Sequence, residues 1–189
     1  MKKFLSCFAI GSFLAIAGCG NLRLAPAIQQ KTAPTAIAGW KVFRSEPNKF
    51  AVSMPGTPKE TEVKQGPVKA KITMLQNDRM AYAVLVAAYQ ESGYSAEQSR
   101  SFESEKVLAS TIKGFVESSK GKIESEKNIS LQGQPGKEVV IAMAAQEAKT
   151  KVRVFYADGK IYQAFVVAPT AQFPEKNAKI FLDSFTLLK

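Results

Sequence analysis

Few side chains in this chain could carry chemistry, because it has no histidine and two cysteines, Cys7 and Cys19. Histidine is the commonest general base and metal ligand in proteins. Its absence excludes a Ser-His or Cys-His catalytic pair and a zinc site built on histidine, and two cysteines cannot form a Cys₄ site. Any catalysis would have to rest on carboxylates, lysines, serines and tyrosines.

Three pairs of closely spaced glutamates are the remaining candidates for acid-base chemistry. They are Glu60 with Glu62, Glu103 with Glu105, and Glu124 with Glu126. The helical pair points to different helix faces, whereas each of the two strand pairs shares a face. Lysines flank both strand pairs, as is typical of an exposed edge strand, and a catalytic carboxylate pair needs apolar surroundings to raise one pKa. The sequence therefore predicts no catalytic residues and no enzyme activity.

The segment from Gly133 to Lys137 reads GQPGK and carries some features of a phosphate-binding loop. It lacks the GxxxxGK[ST] spacing, and a strand pattern rather than a helix follows it, so no helix N-terminus is available for an anion. We predict a turn from Gly133 to Gly136.

Aromatic side chains are the other candidates for a binding site. They are Tyr82, Tyr89, Tyr156, Tyr162, Phe155 and Phe165. Their strand patterns predict that they fill the core and rim of a sheet. The alternative is a ligand pocket lined by these rings, since pockets are common where helices meet a sheet.

Residues 1–18 have the three parts of a secretory signal. Lys2 and Lys3 precede an apolar run from Phe4 to Ala17, and the small residue Gly18 stands at the predicted cleavage point. The apolar run is shorter than the roughly 20 residues that span a bilayer. We predict that residues 1–18 are removed.

The segment Ile16-Ala17-Gly18-Cys19 resembles the lipobox of bacterial lipoproteins. The resemblance implies that Cys19 becomes the new N-terminus and carries acyl chains such as palmitate, so that the bilayer itself is a partner. Two or three chains anchor a protein durably, since each buried CH₂ contributes about 0.8 kcal/mol. Cys7 lies inside the signal and leaves with it. Gly20, which stands where an aspartate would retain many lipoproteins at the inner membrane, favours the outer membrane.

Removal of residues 1–18 leaves 171 of the 189 residues and lowers the formal charge from +10 to +8. This length predicts one domain. A basic chain can bind nucleic acid, an anionic membrane or an acidic protein, or can simply be well solvated. Export argues against nucleic acid, and the dispersed lysines favour a solvated surface, with attraction to a membrane surface as the next alternative.

The chain divides into a tether and a domain. Residues 19–39 are rich in Ala, Pro, Gln and Thr and predict a lipidated, flexible tether, and residues 40–189 predict a globular domain. Strand patterns predict strands at 40–45, 49–54, 68–76, 80–89, 122–131, 137–145, 149–156 and 160–168, with an edge position for 122–131. Helical patterns predict one helix from Ser95 to Ser119, capped by Ser95 with Gln98 and ended by Gly121, and a short helix from Pro174.

Two parts of the domain are similar at a shift of eighty residues. Lys69 aligns with Lys149, Lys71 with Lys151, Asp78 with Asp158, Tyr82 with Tyr162, and Val86 with Val166. A hairpin followed by a helix occurs in both parts. Two similar strand-strand-helix halves are therefore one interpretation, and chance similarity between two basic hairpins is the other.

Three segments carry a resemblance to a known group of domains. They are Phe50 to Pro58, Gly133 to Glu138 and Phe181 to Phe185. Together they resemble bacterial envelope domains of the PsbP/Mog1-like fold across residues 40–189. The resemblance implies an α+β domain with an antiparallel sheet sandwiched between helices (α/β/α). Some members are thylakoid-lumen lipoproteins associated with photosystem II, but a metal site of that family cannot be inferred here without histidine.

The expected function follows from the anchor and from the lack of a catalytic set. We expect a non-catalytic binding or assembly module, held by Cys19 on a membrane and facing the periplasm, thylakoid lumen or exterior. A membrane protein is the expected partner, and no cofactor, metal or nucleic acid is expected. The alternative is a ligand-binding lipoprotein with an aromatic-lined pocket.

Overall fold

The computed structural model describes residues 28–30, 39–65, 68–77, 79–89, 91 and 93–189. Within these ranges the chain forms eleven strands and three α-helices. The strands are β1 (Ile28–Gln30), β2 (Lys41–Ser45), β3 (Phe50–Met54), β4 (Lys59–Gln65), β5 (Val68–Gln76), β6 (Ala81–Ala88), β7 (Lys122–Leu131), β8 (Gln134–Met143), β9 (Ala148–Ala157), β10 (Lys160–Pro169) and β11 (Thr186–Leu187). The helices are α1 (Ala96–Ser101), α2 (Ser104–Ser119) and α3 (Glu175–Ser184).

Eight strands form one sheet in the order β1-β7-β8-β9-β10-β6-β5-β4. All neighbours are antiparallel except β1, which pairs in parallel with the end of β7. Every residue of β6 is buried, because this strand lies inside the sheet and is covered on both faces. This burial explains its nearly continuous apolar sequence.

One face of the large sheet packs against α3 and a small sheet of order β11-β3-β2. Strand β3 is completely buried there, and Phe181 and Leu182 of α3 join it in the core. Aromatic rings meet in this layer, since Phe185 stacks on Phe50 and on Phe155, each with ring centroids 5.8 Å apart. Of the rings expected to fill the core, Tyr82, Phe155 and Tyr162 lie in this layer, and Tyr156 and Phe165 lie in the core on the other face.

Helix α2 covers the other face of the large sheet. Its Leu108, Ile112 and Phe115 pack among alternate residues of β6, β8 and β9. The predicted arrangement, an antiparallel sheet between helical layers in an α+β fold, is therefore confirmed. One helical layer also contains the three-stranded sheet.

The single helix predicted from Ser95 to Ser119 is divided in the structure. The capping box of Ser95 with Gln98 is present as predicted, but α1 ends at Ser101 and α2 begins at Ser104. Phe102 is extended between them (φ −67°, ψ 132°), and its ring contacts Tyr89 with centroids 5.0 Å apart. Aromatic packing therefore outweighs continued helical hydrogen bonding at Phe102.

The end of α2 also differs from the prediction. Lys120, not Gly121, adopts the left-handed conformation, and the Gly121 N–H donates to the Val116 carbonyl at 3.0 Å. A Cβ on Gly121 would lie 3.1 Å from the Ala142 carbonyl oxygen and would collide with Ile141. Glycine is therefore needed for close approach to β8 rather than for the turn.

The turn predicted from Gly133 to Gly136 is wrong by two residues. Gln132 and Gly133 have φ angles of +51° and +83°, and β8 begins at Gln134. Positive φ at both central residues is the signature of a two-residue type I′ hairpin. Pro135 pairs with Ser130 of β7, whereas the pairing of β8 with β9 begins only at Gly136. One side of the strand is therefore unpaired at Pro135, and a residue without a backbone N–H is tolerated there.

The two similar hairpins, β5-β6 and β9-β10, lie side by side through β6 and β10. The pairing places Tyr82 opposite Val166 and Val86 opposite Tyr162, so the eighty-residue shift carries one pair onto the other. The hairpins are thus related by a local two-fold. The helices that follow the two hairpins are not related by this two-fold, because α2 and α3 pack on opposite faces of the sheet.

Strand β1 lies inside the segment predicted to be a tether. It pairs Ile28 with Ile129 and Gln30 with Leu131. Most of residues 19–39 lie outside the described residues, so the tether stays a prediction. Among the described residues, Lys122 to Asn128 of β7 lie at an edge of the sheet as predicted, whereas Ile129 to Leu131 pair with β1.

Candidate docking surface

Cys19, the residue predicted to carry acyl chains, lies outside the described residues. The signal residues and Gly20 lie outside them as well, whereas the residues singled out from the domain lie within them, with the exception of Asp78. Each can therefore be assigned a position in the fold.

Glu60 and Glu62 lie on β4, the predicted exposed strand, which is an edge of the large sheet. Glu60 accepts hydrogen bonds from Ser45 Oγ at 3.2 Å and Thr73 Oγ1 at 3.1 Å. These bonds connect the small sheet to the large one. The role of Glu60 in the structure is thus to join two elements.

Glu124 and Glu126 were predicted to share a strand face, and this prediction is wrong. Their carboxylates reach Lys149 at 3.5 Å and Lys137 at 2.8 Å, and these two lysines project from opposite faces of the sheet. The cause is an irregularity in the β7–β8 register between Ile123 and Ser125. A bulge at this point breaks the alternation of side chains.

Glu103 and Glu105 also serve structural contacts. Glu103 is the N-cap residue of α2 and pairs with Lys106 at 3.1 Å, whereas Glu105 reaches Lys137 of β8 at 2.8 Å. Lys137 therefore bridges α2 and β7 through Glu105 and Glu126. Burial would lower the pKa of Lys137, but the hydrogen bonds that its ammonium group donates to these carboxylates outweigh burial and raise the pKa.

The tyrosines proposed for an aromatic pocket are largely packed. Tyr82, Tyr156 and Tyr162 are buried, and burial raises the pKa of Tyr156 and of Tyr162 to about 12. The Tyr156 hydroxyl donates to the Ser99 carbonyl. A small cavity of about 190 Å³ lies beside Tyr156 and Phe102, with Arg100 and Asp158 also in its wall.

The structure contains a buried row of paired charges that the sequence pattern does not indicate. Arg153 of β9 donates through Nε to Glu138 at 2.6 Å and through Nη2 to Asp183 of α3 at 2.7 Å. Lys127 of β7 lies 2.9 Å from Glu138. Glu138 and Arg153 are 5% and 7% exposed, so the charges are paired away from water. The row attaches α3 to three strands.

The row lowers the pKa values of its two carboxyls. Burial alone would raise the pKa of Glu138, but hydrogen bonds from Lys127 and Arg153 hold it below the ordinary value of 4.5. The pKa of Asp183 is likewise lowered by Lys179 and Arg153 in spite of burial. Both groups are therefore ionised at neutral pH. A general acid at this position would require a raised pKa.

An apolar groove of about 360 Å³ runs between α2 and β7. Ile112 and Val116 of α2 lie on one side and Ile123 of β7 on the other, and Ile123 is 38% exposed. Lys113, Glu117 and Glu126 form its charged rim. Polar residues around an apolar groove are typical of interaction sites.

The groove adjoins the exposed part of β7. Residues Lys122 to Asn128 are all exposed, and none of them pairs with a described strand on the side away from β8. Their backbone N–H and C=O groups can therefore accept a further strand. The same edge already pairs with β1 at Ile129. The groove and this edge together are a candidate docking surface, formed by α2 and residues 122–128.

Within the described part of the chain, no helix is long and apolar enough to cross a membrane. The same residues contain no group of three or more Asp, Glu, Cys or His side chains placed to hold a metal ion.

Comparison with known proteins identifies the fold. No protein-family model and no curated protein matches the chain. A similar solved structure is that of cyanobacterial PsbP (CyanoP) from Synechocystis sp. PCC 6803, with a TM-score of 0.54 and 11% identity over 83% of this chain and 97% of that chain. At this identity the likeness concerns the fold, and the chain has a PsbP-like α+β fold.

Proposed function

We propose that this protein is a lipid-anchored, non-catalytic binding or assembly module that acts at a bacterial envelope or thylakoid membrane. Acyl chains on Cys19 hold it, and the domain faces the periplasm, lumen or exterior. The lipobox-like sequence supports the anchor, and the PsbP-like fold supports an accessory role by analogy. Five of the six paired glutamates, all except Glu62, serve structural contacts, which agrees with a non-catalytic role.

The position of β1 limits how far the domain can stand from the bilayer. Cys19 precedes Ile28 by nine residues, which span about 30 Å when fully extended. Ile28 pairs with β7, so the β7 edge would be held within that distance of the lipid surface. The docking surface is therefore well placed to meet a membrane protein.

The observation that carries the proposal is the apolar groove beside an unpaired sheet edge. Its proposed occupant is an extended apolar segment of a membrane protein, which adds a strand along Lys122 to Asn128 and places a side chain against Ile123. Strand addition of this kind takes affinity from backbone hydrogen bonds and specificity from side-chain pockets.

A second copy of the chain fits this edge poorly. Antiparallel pairing of two β7 strands centred on Glu124, Glu126 or Lys127 would place that charged residue opposite its own copy. Like charges directly opposite each other destabilise a strand pair. A different protein is therefore the better occupant.

The ligand-binding alternative rests on the cavity beside Phe102 and Tyr156. Its volume of about 190 Å³ is below the roughly 300 Å³ at which pockets for drug-sized ligands begin. The cavity suits a smaller, polar molecule, and ligand binding is therefore the second candidate function.

Ile123→Lys tests the docking surface. The acylated protein is recovered from detergent-solubilised membranes, and co-purified proteins are identified and quantified. We expect Ile123→Lys to reduce recovery of the partner at least tenfold, because a charge would enter the apolar groove. Val42→Lys is the matched control, since Val42 of β2 is 40% exposed, nearly the same as Ile123, and lies on the small sheet. Equal recovery with both variants would contradict docking at this surface.

A further inference from the structure

Three lysines lie close together on one face of the large sheet, at the end where β6 finishes and β10 begins. Lys160 of β10 pairs with Ala88, and Lys71 of β5 pairs with Val86. Lys69 is one residue beyond the last registered pair of β5 and flanks Ala88 from the other side. At a strand spacing of about 4.8 Å, the Cα atoms of Lys69 and Lys160 are about 10 Å apart. These three residues form the lysine patch.

The lysine patch forms no ion pair with a carboxylate of the residues that the structure describes. Glu62 lies opposite Lys71 in the strand register and Asp158 precedes the patch in the β9–β10 turn. No carboxylate among the described residues lies within 4.0 Å of the three ammonium groups. In the strand register, Lys64 of β4 lies directly opposite Lys69 of β5. Like charges in such positions destabilise the sheet.

The local two-fold provides an internal comparison. The eighty-residue shift carries Lys69 and Lys71 onto Lys149 and Lys151. Lys149 lies 3.5 Å from Glu124, and Lys151 lies 3.7 Å from Glu175. The equivalent lysines of the second hairpin thus lie within 4.0 Å of carboxylates, whereas among the described residues those of the first hairpin do not. An anion from outside the chain would supply the missing partner.

We propose that the lysine patch binds the anionic headgroups of the membrane to which the protein is anchored, an inference that rests on the proposed anchoring. Lysine is a compact point charge that suits phosphate, and it is depleted in the cores of protein–protein interfaces. A row of lysines around Ala88 offers no aromatic or arginine anchor for a protein partner. A lipid surface requires charge without close shape complementarity.

The geometry allows the anchor and the patch to contact one bilayer. The strands of the patch, β10 and β5, lie three and five positions from β7 in the sheet. These positions correspond to about 15 and 25 Å, less than the roughly 30 Å reach of the nine residues from Cys19 to Ile28. Contact at the patch would leave α2 on the opposite face, away from the lipid. The segment 95–120 has four basic and four acidic side chains and so adds no net positive charge.

Binding to protein-free vesicles tests the proposal. The chain from residue 19, with Cys19→Ser so that no acyl chain contributes, is sedimented with vesicles of phosphatidylcholine with and without phosphatidylglycerol. We expect binding that requires phosphatidylglycerol and weakens with salt. A variant with Lys69, Lys71 and Lys160 replaced by Gln should bind about 100-fold more weakly, given the contribution of each lysine near an anionic surface.

The control variant replaces Lys106, Lys113 and Lys120 of the α2 face by Gln and so removes the same charge. It should keep wild-type affinity. Equal losses in both variants, or no binding of the wild type to anionic vesicles, would overturn the proposal. If vesicle binding is absent but the patch variant loses a protein partner from solubilised membranes, the patch binds an acidic protein instead. Because these vesicles contain no protein, failure here is distinct from failure of docking at Ile123.

Discussion

Arg153 shows how a single charged residue can determine the position of a helix. It lies between Val152 and Val154, which face α2, and its own side chain faces α3. Two carboxylates, Glu138 and Asp183, occupy its Nε and Nη2, while its Nη1 is buried without a partner among the described residues. A buried pair of this kind contributes little net stability, but breaking it is costly. The row therefore specifies where α3 packs more than it stabilises the fold.

The lowered pKa values predict how stability depends on pH. Glu138 and Asp183 release their protons more readily in the folded state than in the unfolded state, whose ordinary values are 4.5 and 3.8. The folded protein therefore binds fewer protons, and its advantage is complete above about pH 4.5 and lost as the pH falls through the lowered values. Urea unfolding at a series of pH values should show the unfolding free energy falling below about pH 4.5.

Glu138→Gln isolates the contribution of the row. It should lower the unfolding free energy at pH 7 by about 3 kcal/mol, since Arg153 loses a buried anionic partner. It should also reduce the acid slope, that is, the fall of the unfolding free energy with decreasing pH below about pH 4.5. Glu91→Gln, at an exposed position, should change neither. An unchanged acid slope in Glu138→Gln would contradict the role assigned to this carboxyl.

Part of this row could be predicted from the sequence and part could not. The alternation of Lys149, Lys151 and Arg153 places the three residues on one strand face. What covers that face depends on α3, whose Asp183 comes thirty residues after Arg153. Local periodicity contains no information on such a contact, so the row was missed and the sequence indicated only a basic hairpin.

At the scale of elements, the sequence predicts what alternation and turn residues determine. Asp158-Gly159 between two apolar runs is typical of a tight hairpin, and in the turn between β9 and β10 both residues have positive φ, of +49° and +72°. The break between α1 and α2 was not predicted, because Phe102 continues the apolar helical pattern. Its extended conformation depends on contacts with Tyr89 and Tyr94, which come from another segment.

Gly159→Ala tests the close approach of this hairpin to α1. A Cβ at Gly159 would meet Ser99 Oγ at 2.7 Å, in addition to the cost of a left-handed alanine. We expect a loss of about 2 kcal/mol, seen as a fall in Tm of about 4–8 °C by thermal unfolding.

Gly133→Ala is the matched control for Gly159→Ala. Gly133 has φ +83° in the equivalent position of the β7–β8 turn, and nothing lies within 4 Å of its Cβ position. It should cost about 1 kcal/mol from backbone strain alone. If both variants lose the same stability, the contact with Ser99 is not a constraint on the fold.

At the scale of the whole molecule, the two faces of the sheet differ in chemistry. The local two-fold relates the β5-β6 and β9-β10 hairpins, but α2 packs on one face, and α3 and the small sheet pack on the other. The lysine patch lies on the α3 side, and the apolar groove lies on the α2 side. A domain with such faces can meet lipid with one and a protein with the other.

The sequence predicted the class of fold because apolar periodicity and turn residues determine strands and helices locally. It did not predict the groove, which forms where Ile123 approaches Ile112 and Val116 from a different element. Such a surface depends on tertiary packing. The function proposed from the sequence, a tethered binding module, thereby acquires a specific docking surface.

Both proposed surfaces act only on a domain that is held at a membrane, so both depend on the anchor at Cys19. The direct test is the mass of the N-terminal peptide of the protein purified from membranes. We predict a chain that begins at Cys19 and carries a diacylglyceryl group on its sulfur and usually a further acyl chain on its amine. A chain that begins elsewhere, or one that begins at Cys19 with a free thiol, would contradict lipid anchoring at Cys19.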